Sequence, residues 1–414
     1  MATGKEPAGR KFTSRLGPLS GIKVLDLTQF LAGPFSTQIL ADLGANVIKL
    51  EAPSGDWSRT LPPHFVESDS CYFLSINRNK KGVVIDMKTP EGLKLVKRLA
   101  DKCDILMENF RPGVLDRLGL GFEDLRQRNP GLIWASISGF GQDSPYRDRP
   151  AYDMIVQAMS GGMSLTGEPG RAAVRAGIPL GDLSAGMYAA IGSLAALEER
   201  KQTGKGKFID ISMLDCQVAM LTYQAAYYLH SDEIPGRQGS GHESIPTYRS
   251  FAAANNTELV ITANTERMWK GLCEVLGLAK LIEDSRFVTN DDRFKNREAL
   301  WPLLDKAFQQ REAAEWVPFL LDAGVPVGEV NTVADALKDP QVRHRNMVLE
   351  LVNENGDLAR VTGNPIKFRG IDEGPHQYPP SLGADTRAAL CEVLGLSDVE
   401  YETYRKGGIV REQS

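Results

Sequence analysis

Apolar and polar positions along the first half of the chain switch repeatedly between two periods. Ile22 to Thr28 is an apolar run of strand length, and Ala32-Gly-Pro34 breaks it. Pro34 suits the first turn of a helix, and Phe35 to Leu43 follows at helical spacing until Gly44. Ala45 to Glu51 is again strand-like, which completes a βαβ unit. The alternation continues with strand Gly82–Met87, helix Pro90–Lys102, strand Asp104–Glu108 and strand Gly131–Ser138. The pattern predicts an α/β fold, a Rossmann-like domain with a parallel sheet covered by helices.

A long helix is predicted from about Ser184 to Lys201, ending at Gly204-Lys-Gly206, then strand Lys207–Ile211 and an apolar helix Leu214–His230. Beyond Pro235 the texture changes. Thr247–Ala254 and Glu258–Ala263 read as a hairpin across Asn255-Asn256, and helices follow at Met268–Leu276, Arg297–Gln309 and Ala313–Ala323. The chain therefore divides into a flexible leader (1–17), a large domain (18–225) and a smaller α+β domain (226–330). A tail (331–414) with strand-like Met347–Val352 and Leu358–Val361 returns to the large domain, and Pro375–Leu382 reads as an extended surface link.

Composition narrows the function. The 414 residues exceed one small core. A formal charge of −5 argues against broad nucleic-acid binding but leaves room for a local basic pocket. The five cysteines are dispersed with no CxxC pair, and the five histidines lack ligand spacing. These features imply reduced thiols in a cytoplasmic setting and no metal. No apolar run reads as a membrane span, and the leader has no apolar core of a secretory signal.

Candidate chemistry gathers around Asp182, in Ala176-Gly-Ile-Pro-Leu-Gly-Asp-Leu-Ser-Ala-Gly186. Its side chain is placed either to cap the following helix or to act as a nucleophile. The two roles are compatible, because a helix start favours the ionised carboxylate. Asn109-Phe-Arg-Pro-Gly113 with Arg117 follows a strand, where such sheets bind ligands, and two arginines suit the phosphates of a nucleotide-like cofactor. Asn77-Arg-Asn-Lys-Lys81 and Lys88 add positive charge, unless they form a solvated face. Gly239-Ser-Gly-His-Glu243 is either an acid–base pair or a turn. GxGxxG, GxxxxGK[ST] and GxSxG are absent, which sets aside NAD, ATP and α/β-hydrolase sites.

Taken in order, the motifs resemble the class III CoA-transferases, the family of formyl-CoA and carnitine CoA-transferases. They include Leu25-Asp-Leu-Thr…Leu31-Ala-Gly-Pro34, Asn77-Arg-Asn-Lys80, Glu108-Asn-Phe-Arg-Pro-Gly113, Gly139-Phe-Gly-Gln142, Tyr152-Asp153…Gln157-Ala158 and Gly181-Asp182…Gly186, within residues 18–390. The resemblance implies two linked domains and an interlocked homodimer. It also implies a catalytic aspartate at Asp182. CoA contacts would fall at Ile85, Lys88, Asn109, Phe110, Arg111, Arg117, Ser138, Gly139, Phe140 and Gly141. Acyl-CoA and a small carboxylic acid would be substrates, with no tightly bound cofactor. Leu31 stands where formyl-CoA transferases carry glutamine, and Ala52 where they carry an arginine that contacts CoA. The Gly241-His-Glu-Ser-Ile-Pro-Thr-Tyr248 form is nearer to members that use succinyl-CoA with dicarboxylates. Leu31, Tyr152, Arg237, Gly241 and His242 become substrate candidates, with Arg237 or His242 holding a distal carboxylate. Related racemases need a histidine where this chain has Tyr152. A racemase and a non-catalytic acyl-CoA binder are the alternatives.

Overall fold

The computed structural model describes residues 16–370 and 373–412. The leader expected over 1–17 lies outside the described residues, apart from Leu16 and Gly17. The apolar runs become strands β1 (Lys23–Asp26), β2 (Asn46–Glu51), β3 (Lys80–Ile85), β4 (Ile105–Glu108), β5 (Ile133–Ser138) and β6 (Phe208–Ser212). These six are parallel, and a seventh, β7 (Val410–Arg411), pairs antiparallel with β3. The sheet order is β7-β3-β2-β1-β4-β5-β6. The order in which successive strands are added therefore reverses between β1 and β4, the kind of switch point at which doubly wound sheets bind their ligands.

Successive residues along each strand supply opposite faces of the sheet. Val24, Val47, Ile105, Met107 and Ile133 pack on one face with α1 (Ala32–Asp42), while Leu25, Ile48, Val83, Leu106 and Trp134 pack on the other. The first face is completed by a short helix α2 (Asp153–Met159) and by α3 (Leu180–Thr203). Gly186 on α3 permits this closeness, because a Cβ there would stand 2.6 Å from the Ala32 carbonyl oxygen. α3 is long and apolar enough to cross a membrane by length and composition alone. In this fold half of its apolar stretch is buried against the sheet and α1 instead.

Two helices differ from their predicted form. α3 begins at Leu180, one turn before Ser184, so Asp182 lies inside its first turn. The helix expected over Leu214–His230 is two, Met213–Met220 and Tyr223–Ser231, parted where Thr222 takes a left-handed conformation (φ 46°) that a β-branched residue rarely adopts.

The Asn77–Lys81 charge run is neither a ligand site nor a solvated face. Arg78 pairs with Asp42 at 2.5 Å, and Lys81 stands 3.7 Å from Asp385. Lys80 donates to Asp26 (3.1 Å), the Asn77 side chain (2.8 Å) and the Pro34 carbonyl (2.9 Å). Beside it, Lys49 donates to Asp56 at 2.8 Å and to the Thr28 carbonyl at 3.0 Å. Arg59 grips Glu51 with two bonds of 2.8 and 2.7 Å and reaches Asp69 at 2.9 Å. Lys49, Lys80, Asp26 and Asp56 are all buried. Burial opposes the charge on Lys80 strongly enough to bring its pKa to about 8, despite Asp26. Burial likewise pushes Asp26 upward, but Lys80, Lys49 and the hydroxyls of Thr28 and Thr37 outweigh it and hold its carboxyl below the usual range.

The chain forms two compact units. The first comprises residues 16–162, 176–225 and 343–412, including the antiparallel pair Val348–Val352 and Leu358–Thr362. The second takes 163–175 and 226–342, so the small unit gains 163–175 and 331–342 relative to the sequence division. Its antiparallel sheet joins Arg249–Ala252, Glu258–Ile261 and Val327–Glu329. Asn255 and Asn256 turn the hairpin at φ 55° and 56°. Its core gathers Trp269, Phe287, Phe308 and Trp316.

Removing one partner of a buried ion pair strands the other charge. Lys80→Ala should cost about 3–5 kcal/mol of stability, read as a lower urea midpoint, whereas Lys88→Ala, at an exposed site, should leave the midpoint in place.

Candidate active site

The loops after β1 and β4 meet at the switch point. Asn109 closes them together: its Oδ1 accepts from the Gln29 amide at 2.9 Å, and its Nδ2 donates to the Gln29 carbonyl at 2.8 Å. The side chain expected to touch CoA is therefore occupied as a clasp. Next to Gln29, Phe30 holds a left-handed conformation (φ 63°), with its amide 3.3 Å from Asp56 Oδ1. Leu31 stands at the start of α1 and is partly buried. The buried ion network thus shapes the loop that faces α3.

Asp182 is the third residue of α3 and makes no capping bond; Pro179 occupies the cap position. The capping reading is corrected by the earlier helix start. Its partners lie on α2. The Gly181 amide donates to Asp153 Oδ1 at 2.8 Å, and Asp153 Oδ2 accepts from Gln157 Nε2 at 2.8 Å. Gln157 Oε1 in turn accepts from the Ala176 amide at 3.0 Å. Two side chains at i and i+4 on one short helix thereby fix both ends of the segment that delivers Asp182. Residues 182 and 186 share a face of α3, and Gly186 lies against Ala32 and Phe35 of α1.

This environment raises the Asp182 carboxyl to about pH 7, first by burial and then by the negative Asp153. The expectation of a carboxylate held ionised by the helix start is corrected, since burial and a like charge prevail. Tyr72 belongs to the same cluster. Burial, and then the charges of Asp182, Asp56 and Asp153, push its hydroxyl up to about 12, so it remains a donor at neutral pH. Trp57 and Tyr152 complete the rim, with ring centroids 6.4 and 6.5 Å from Phe30.

The remaining CoA candidates separate by position. Ile85 is buried in the core, leaving only its main chain to a ligand, and Phe110 packs partly buried against the same core. Ser138 and Phe140 are also buried; Ser138 Oγ accepts from the Gly141 amide at 2.9 Å, and Phe140 meets Tyr146 edge-on. Gly139 abuts Ala151. Lys88, Arg111 and Arg117 are exposed. A Cβ on Gly113 (φ 74°) would meet Arg117 at 3.2 Å and Arg147 at 3.6 Å, so two guanidinium groups flank one loop. In the second unit, Arg237 donates to the Arg171 carbonyl at 2.8 Å. The Gly241 and His242 amides close a local turn on Gln238 and Tyr248, and the His242 ring stacks on Tyr248 at 5.6 Å. The turn reading of that loop therefore describes the structure.

Residues 19–386 match the profile of CoA-transferase family III. The chain belongs to that family. It is 39% identical over 396 residues to succinyl-CoA:glutarate CoA-transferase of Mus musculus, covering 95% of this chain and 91% of that one. It is 42% identical over 375 residues to acetyl-CoA:oxalate CoA-transferase of Acetobacter aceti, covering 90% and 94%. A solved CAIB/BAIF family protein from Brucella suis superposes with TM-score 0.84 at 38% identity, covering 92% of this chain and all of that one. The protein is thus an enzyme that transfers coenzyme A, with acyl-CoA and a carboxylic acid as substrates. These relatives set aside the racemase and binder alternatives.

In the sequence, Asp153 and Gln157 stand out only within a motif, and nothing singles out Tyr72, Trp57 or Arg147. The i, i+4 spacing of Asp153 and Gln157 was the available signal, whereas Tyr72 and Trp57 reach the site only through the fold.

The raised Asp182 pKa has a sign that can be tested. Its folded-state pKa lies above the ordinary value, so the stability tied to this group is present below about pH 4 and lost as pH rises through about 7. Asp182→Asn should therefore melt close to wild type near pH 4 and higher than wild type above pH 7 in calorimetry.

Proposed function

We propose that the enzyme moves CoA between small acids by covalent catalysis at Asp182. The observation that carries the reading is the placement of Asp182 in the first turn of α3, on a segment tied to Asp153, where burial and Asp153 raise its carboxyl to about 7. At neutral pH enough of it is ionised to attack, while its raised basicity makes it a better nucleophile than an ordinary carboxylate. The Asp182 carboxylate attacks the thioester of the donor, expelling CoA thiolate and leaving a mixed anhydride. The thiolate attacks the aspartyl carbonyl, releasing the donor acid and leaving an aspartyl-CoA thioester. An acceptor carboxylate then attacks that thioester, giving a new anhydride and thiolate. Attack of the thiolate on the acceptor carbonyl yields the new acyl-CoA and restores Asp182. Main-chain N–H groups around the flanking glycines and the Tyr72 hydroxyl supply donors to each developing oxyanion.

The donor is succinyl-CoA and the acceptor a dicarboxylate, supported by relatives named for succinyl-CoA and glutarate. Arg117 and Arg147 hold phosphates of CoA, supported by their convergence on Gly113. The working form is an interlocked homodimer; the exposed apolar residues Met154, Ile155, Met187, Tyr188 and Ile191 on α2 and α3 suit burial by a second copy. The compartment is cytoplasmic, in keeping with five free cysteines.

Asp182→Ala should abolish exchange between succinyl-CoA and glutarate by mass spectrometry while retaining the far-ultraviolet dichroism of the fold. Hydroxylamine added during wild-type turnover should modify Asp182, and near-normal exchange by the alanine variant would refute the covalent route. Replacing Arg117 or Arg147 with Ala should raise KM for acyl-CoA by about ten- to a hundredfold. KM for the acceptor and kcat should change little.

A further inference from the structure

The rim of the Asp182 site carries a row of aromatic rings that the transfer chemistry does not use. Phe30 is its centre, flanked by Trp57 at 6.4 Å (tilted 46°) and Tyr152 at 6.5 Å (edge-on, 82°). The outer two rings are open, Trp57 at 68% exposure and Tyr152 at 67%. An open indole is ordinarily a mobile surface residue, but the backbone of this one is fixed on both sides. Asp56 before it is buried and accepts from the Ser58 amide at 2.9 Å, capping the single turn Trp57–Thr60. Ser58 and Arg59 after it are buried, and Arg59 is held by Glu51. Phe30 is tied to the same Asp56, and Tyr152 precedes the Asp153 that positions Asp182. Three adjoining rings thus stand on backbone tied to Asp56 and to the Asp182 segment, two of them exposed.

We propose that Trp57, with Phe30 and Tyr152, forms the platform that selects the acyl body carried on Asp182. It favours carboxylic acids with an apolar chain extending from the reacting carboxyl. The chain lies across the rings and covers apolar area that water otherwise wets. Acids too short to reach the platform gain nothing from it. The proposal rests on acyl transfer at Asp182 and adds the substrate class that this enzyme discriminates.

The test uses the full-length enzyme, one acyl-CoA donor, and straight-chain mono- and dicarboxylic acids of increasing length as acceptors. Wild-type kcat/KM should climb with chain length. Trp57→Ala should lose about tenfold at the long end, the scale of apolar pocket discrimination, and less than about twofold at the short end. Trp57→Phe should recover most of the selectivity. An equal loss at every length, no loss at all, or a flat wild-type profile would overturn the platform. So would sedimentation showing that Trp57→Ala splits a dimer, because the ring would then be a subunit contact. Hydroxylamine trapping with donor alone needs no acceptor and reads the Asp182 chemistry separately. Its failure in wild type removes the covalent route, whereas failure of the length series with trapping intact removes only the platform.

Discussion

The buried lattice of charge that joins the end of β1, the middle of β2 and the start of β3 is the constraint on which the site depends. Asp26, Lys80, Lys49 and Asp56 lie out of water, and each finds an opposite charge within 3.1 Å. Such pairs add little net stability over a well-packed apolar core, but losing one partner is costly. Here the bonds run from charge to backbone: Lys80 to the Pro34 carbonyl, Lys49 to the Thr28 carbonyl, Asp56 to the Phe30 amide. The lattice therefore dictates the path of residues 28–34, a path that includes a left-handed Phe30. Apolar residues could fill the same volume without specifying that path.

The site itself is built against the electrostatic grain. A carboxylate in the first turn of a helix is ordinarily favoured in its charged form. Asp182 occupies that position, yet burial and Asp153 raise its pKa to about 7. Asp153 has two effects. It fixes the Gly181 amide, and its charge makes the neighbouring carboxylate more basic. Stability given up at this point leaves a carboxylate whose protonation changes near neutral pH.

Much of the fold was legible because the large sheet is buried on both faces. Continuous apolar runs such as Ile22–Thr28 then mark strands, and the intervening 3.6-residue spacing marks helices. The hairpin at Asn255-Asn256 was legible because those side chains tolerate left-handed conformations. The start of α3 was missed because Pro179 and Gly181 read as loop residues, and Asp153 on another helix satisfies the helix start. Asn77–Lys81 was misread because a window of charges carries no mark of its distant partners, Asp26, Asp42 and Asp385. Arg147 and Trp57 were passed over for the same reason: Arg147 meets Gly113, and Trp57 meets Phe30, across the fold.

The sequence by itself determined the class of architecture, the place of Asp182 among glycines and the ordered motifs that mark a CoA-transferase. These are local properties, set by periodicity, glycine freedom and spacing along one segment. Only the tertiary structure decided that Asn109 is a clasp, that the Asn77–Lys81 cations are buried ties, and that Asp153, Tyr72 and Asp182 share one electrostatic environment. Charge and hydrogen bonding act over a few ångströms of space regardless of separation along the chain. Their outcome is fixed when strand order brings the loops after β1 and β4 to the same edge.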